Sequence, residues 1–155
     1  MTAQYIMPES EAMVSLLSII FGDDVEVGNC DTPDFTDQYQ ATFIDPEDKL
    51  VALCYSDIDF VAYSGSALSM IPAGAAEDMI AEKDISDTIA LNFHEVMNIC
   101  SQLLMNDNSP HLRLDKTFGP GGSDTDQSAL ADPVVASMYV DVPRYGKGTL
   151  SFVIT

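Results

Sequence analysis

The chain has 155 residues, 46% of them hydrophobic, which suits one domain (1–155) with a sizeable core of its own. Its formal net charge is −19, from 25 Asp and Glu against 6 Lys and Arg, and that balance argues against nucleic acid or an anionic membrane as partner. No apolar run is long enough to span a bilayer, residues 1–7 lack the basic start of a signal peptide, and Cys30, Cys54 and Cys100, widely spaced with no C-x-x-C pair, read as reduced thiols of a cytoplasmic protein.

Pro8, followed by Glu9 or Ser10, opens a helix that runs to about Phe21, with Met13, Leu16, Leu17 and Ile20 at helical spacing and Gly22 as its stop. An acidic, turn-rich stretch follows, with a short strand at 25–27. Residues 38–44 and 49–55 read as a hairpin about the turn Asp45-Pro46-Glu47-Asp48. Residues 60–63 read as a further short strand, 66–70 as a short helix or turn, and 75–82 as a helix. Ser86 or Asp87 caps the longest helix, about 88–105. Residues 111–116 read as a strand and 118–132 as a loop rich in Gly, Ser and Asp. A last hairpin joins 134–142 to 148–154. Met70, Met79, Met97, Met105 and Met138 read as fillers of the core or its rim. Hairpins dominate, so the expected fold is α/β of the α+β type: a largely antiparallel sheet with a long helix and shorter helices packed on it.

Much familiar chemistry is missing from the sequence. Gly119 to Gly122 lacks the strand-to-helix setting and the Lys of a phosphate loop. His94 and His111 form no H-x-x-x-H pair, and Asp124 and Asp126 lack the later Gly and Glu of a calcium loop. There is no G-x-S-x-G elbow, and Tyr63-Ser64-Gly65-Ser66 reads as a flexible segment without a base.

The long helix is the informative element. With about 100° per residue, Ile89, Phe93, Val96, Cys100, Leu103 and Leu104 share one apolar face. Asn92, Glu95, Asn98 and Gln102 lie opposite. Three amides around one carboxylate are an unusual outer face for a chain this rich in Asp and Glu. An amide both donates and accepts, so it can hold a water in a fixed orientation without a change of charge. A carboxylate one turn away can pair with a Lys on a docking protein. Phosphoryl hydrolysis needs mainly position and electrostatics, so the missing Ser, Cys and His machinery does not exclude it.

Glu95-Val96-Met97-Asn98, followed at the matching distance by Pro120, resembles the motif of the bacterial chemotaxis phosphatases of the CheC, CheX and FliY group. In that motif an Asp or Ser stands four positions before the Glu of Glu-x-x-Asn, with three residues between, and here the position is Leu91. One copy of the motif and the chain length look most like CheX. The resemblance implies an enzyme that hydrolyses the aspartyl phosphate of a CheY-like response-regulator receiver domain. Asn98 would orient the attacking water and Glu95 would dock the receiver's Lys. Asn92 and Gln102 would flank the contact, an inference from the helix face rather than a family rule. No cofactor would be bound by this chain, and Mg²⁺ would sit on the receiver. CheX-like proteins pair through their sheets, so a homodimer is the matching expectation. The rival reading is a catalytically inactive module of the same fold, serving binding or dimerisation in bacterial signalling or flagellar assembly.

Overall fold

A computed structural model describes residues 5–155. The reading of residues 1–7 therefore lies partly outside the described residues. Helix α1 (Ser10–Phe21) ends at Gly22, whose φ of 98° suits a residue without a Cβ. Strands β1 (Glu26–Asn29), β2 (Tyr39–Ile44) and β3 (Leu50–Ser56) follow, then helices α2 (Ile58–Leu68), α3 (Ala73–Glu82) and α4 (Asp87–Cys100). Strand β4 (Arg113–Phe118) and the hairpin of β5 (Val134–Val142) and β6 (Gly146–Ile154) complete the chain. The six strands make one antiparallel sheet in the order β1-β5-β6-β3-β2-β4. The expected α+β architecture is the one observed.

The two faces of the sheet differ because strand side chains alternate. Ala41, Phe43, Cys54, Met138, Val140, Leu150 and Phe152 face the helices and join Met13, Leu17, Phe60, Ile89, Phe93, Val96 and Cys100 in the main core. The other face carries Gln40, Tyr55, Ser137, Ser151 and Val153. A smaller apolar cluster forms there from Leu53, Tyr55, Val153 and Leu130, with Phe35 and Val135 at its margin. Ser137 and Ser151 satisfy each other through a 2.7 Å hydrogen bond on that face.

Helix α2 corrects the sequence reading. The expected strand at 60–63 and residues 66–68 of the expected short helix or turn at 66–70 belong to a single helix, and Ser64, Gly65 and Ser66 lie buried within it rather than in a flexible segment. Asp57 nucleates it. Its Oδ1 accepts from the Phe60 N–H (2.9 Å) and from the Thr149 N–H (3.0 Å), so one carboxylate caps the helix and ties it to β6. Gly148 lets the start of α2 lie directly on β6, because a Cβ there would overlap the Phe60 backbone. Smaller corrections concern boundaries. The α-helical part of the long helix stops at Cys100, and a 3₁₀ turn carries it through Ser101–Leu104. Strand β4 starts at Arg113 because the Leu112 N–H is turned to the Met105 sulfur (3.3 Å). Met70 is not a core filler: it is 85% exposed, at a φ of 58° just past α2.

Candidate functional site on helix α4

Ser86 caps α4, its Oγ accepting from the Ile89 N–H at 3.3 Å. Ile89, Phe93, Val96, Met97 and Cys100 are buried and fix the rotation of the helix on the sheet. That rotation carries Leu91, Glu95 and Asn98 onto solvent, all three exposed. At about 100° per residue they fall in one stripe roughly 60° wide. Gln102 continues the stripe in the 3₁₀ turn and is also exposed. Among the described residues, no hydrogen bond or ion pair of the fold engages the side chain of Glu95 or Asn98; the bonds made by α4 side chains belong to Asn92 and His94. Both side chains of the pair are therefore free to meet a partner.

The structure gives Asn92 a different position from the one expected of a flanking contact. It is half-buried, and its Nδ2 donates to the Gly65 carbonyl (2.9 Å) and to Ser69 Oγ (2.7 Å), bolting α4 to α2. Its donor is used inside the fold. His94 does similar work on the other flank, with Nδ1 at 3.2 Å from Thr117 Oγ1 of β4. Pro120 is exposed and leaves the sheet just beyond β4, the strand beside α4. Sequence periodicity separates the exposed from the buried side of α4 but not the residues that clamp it. Gly65, Ser69 and Thr117 are distant in sequence, and no local signal marks them.

Leu91 is the apolar member of the stripe, 71% exposed. The only acidic side chains on α4 are Asp87 and Glu95, and no Lys or Arg lies on it. The site can thus accept a cationic group, hold a water through an amide, and offer one apolar contact. Among the described residues, no group of three or more His, Cys, Asp or Glu is placed to hold a metal ion, and no helix is long and apolar enough to cross a membrane.

A six-stranded antiparallel sheet backed by these helices is a fold this chain shares with solved structures of FliM and FliY. FliM from the FliM–SpeE complex of H. pylori superposes with a TM-score of 0.68 at 8% identity, over 94% of this chain and 80% of that one. The FliM middle domain of Vibrio alginolyticus gives 0.60 at 10% identity (94% and 87% covered), and Thermotoga maritima FliY gives 0.61 at 12% (92% and 81%). Two CheX structures, from Borrelia burgdorferi and Desulfovibrio desulfuricans, reach only 0.42 and 0.43, so the likeness rests on FliM and FliY rather than on CheX. No family model and no curated protein matches the sequence.

Proposed function

We propose that this chain is a signalling domain that docks a CheY-like receiver through α4 and speeds hydrolysis of its aspartyl phosphate. The observation that carries the reading is the exposed pair on one helix face, Glu95 and Asn98, with neither side chain committed within the fold. Glu95 pairs with the receiver's Lys and sets the register. The Asn98 amide then holds a water in line with the phosphorus, and the Mg²⁺ that neutralises the phosphate belongs to the receiver. The pair needs no nucleophile from this chain.

Leu91 favours a second reading. An exposed leucine where the phosphatase motif has Asp or Ser adds apolar docking area and no polar help to the water. In that reading the same face binds a signalling or flagellar partner without catalysis. One experiment separates the two: the lifetime of a phosphorylated receiver with and without the protein, alongside its binding. The phosphatase reading expects faster decay, with about 100-fold of the acceleration lost in Asn98→Ala while binding persists. Binding without acceleration assigns the docking role. No binding to any receiver from the same genome removes the phosphatase reading and leaves docking of a different partner.

A further inference from the structure

The sheet face away from the helices holds a cleft of about 770 Å³. Its walls are the 32–36 segment, the 119–128 segment, and Gln38, Gln40 and Tyr55 between them. This volume is that of a small-molecule site, which typically spans about 300–1,000 Å³. The cleft is separate from the α4 stripe and independent of the function proposed for it.

Gln40 is the informative residue. It is only 5% exposed, and its Nε2 donates to the Thr125 carbonyl (2.7 Å) and to the Tyr55 hydroxyl (3.1 Å). A carbonyl can only accept, so the orientation of the amide is settled: the NH₂ points at Thr125 and the oxygen points away. That Oε1 is buried and has no donor. Gln38 Oε1, in the wall of the same cleft, is also buried without a donor. Buried acceptors in folded proteins nearly always have partners, and two orphans at one cleft need an explanation.

The remaining lining has the same polarity. Asp34 Oδ1 accepts from the N–H and the hydroxyl of Thr36 (2.9 and 2.6 Å), and Asp126 Oδ1 accepts likewise from Ser128. These bonds hold both carboxyls below the usual carboxylate range, so both are charged at neutral pH. The Phe35 ring lies flat on Tyr55, centroids 4.0 Å apart, as an apolar wall. No Lys or Arg lines the cleft. It therefore offers acceptors and negative charge to a guest that must bring donors and positive charge. A bare metal ion does not fit, since no close cluster of carboxylates, His or Cys exists among the described residues.

We propose that this cleft binds an organic cation rich in N–H donors, an alkylammonium or guanidinium group, with Gln38 and Gln40 accepting its N–H groups and Asp34 and Asp126 balancing its charge. The two orphan oxygens do not touch solvent, so a donor reaches them only where the 119–128 segment gives up the bond from Gln40 Nε2 to the Thr125 carbonyl. The cation is either a free small molecule or a Lys or Arg side chain of another protein, and the group recognised is the same.

The test is a titration followed by amide NMR at roughly 0.15 M salt, where general attraction to an acidic surface is screened beyond about 8 Å. The probes are methylguanidinium, butylammonium and a blocked Gly-Arg-Gly peptide, with urea as the neutral control. The expected result is saturable shifts at the Gln38 and Gln40 side-chain amides and at Gly121 and Gly122, with none from urea. Asp34→Asn/Asp126→Asn keeps the turn acceptors, and there the affinity is expected to fall about ten-fold or more. Tighter binding of the peptide than of methylguanidinium identifies a protein side chain as the source, and the reverse identifies a free cation. Shifts spread over the whole acidic surface, or unchanged in the double variant, overturn the proposal, as does the absence of shifts at Gln40.

Discussion

Cys54 and Cys100 have no exposed surface, and Cys30, in the segment after β1, is partly exposed. Burial alone pushes the Cys100 thiol up to about 12, and burial with the neighbouring Cys100 pushes Cys54 well above the ordinary thiol range. Cys30 is raised by burial, then by Asp31 and Asp57. Since the thiolate is the reactive form, Cys54 and Cys100 are expected to resist a disulfide reagent at about pH 8 while Cys30 reacts slowly. Counting titrated thiols before and after denaturant checks this: one in the native chain, three in the unfolded one. The linkage has a definite sign. Thiols whose folded value is raised contribute nothing to pH dependence below the unfolded value, about 8.5. As pH climbs past it, the unfolded chain sheds protons that the native chain keeps, and stability declines up to the folded value.

The crossing of α2 and α4 sets where the α4 stripe points. Gly65 makes it close, since a Cβ there would stand 2.7 Å from Ile89 Cγ2 and 3.0 Å from the Ile89 carbonyl, and Asn92 locks it from the other helix. Gly65→Ala is expected to destabilise the protein by about 1–3 kcal/mol through overpacking, despite the better helix propensity of Ala. A denaturant midpoint that does not fall would mean the helices separate without strain. Helix α2 is also the element least legible in the sequence. Phe60, Val61, Ala62, Ser64, Gly65 and Ser66 are all buried, so the helix has no wet side to create a 3.6-residue rhythm, and its aromatic and β-branched start imitates a strand. By contrast α1, α4 and the β2–β3 and β5–β6 hairpins each have a wet side or a turn signal, and their placement followed from pattern. The exposure of Glu95 and Asn98 was legible for the same reason. Asn92 was not, because helical spacing alone placed it with the outer residues and its partners on α2 are far away in sequence. The cleft was invisible too, since it joins residues 32–40 to 119–128 across the sheet.

At the scale of the molecule, 19 uncompensated negative charges repel one another. Among the described residues one ion pair offsets them, Arg113 with Asp48 at 3.1 Å, and both side chains are exposed enough for it to contribute little. Salt therefore removes repulsion and sacrifices almost no attraction. Raising NaCl from about 0.05 to about 0.5 M is expected to raise Tm by roughly 3–6 °C, checked by thermal melts in sodium chloride. A Tm that falls would mean that attractive pairs outweigh the repulsion. The strand order carries a temporal consequence as well. Strand β6 lies between β5 and β3, yet it ends at Ile154 and pairs there with Ala52. During vectorial synthesis the earlier strands emerge with a gap at the centre, so β2, β3 and β4 wait as a separate ribbon with an open edge. The sheet closes only when the last strand has left the ribosome, and until then β3 presents an unpaired apolar border that a chaperone could shield.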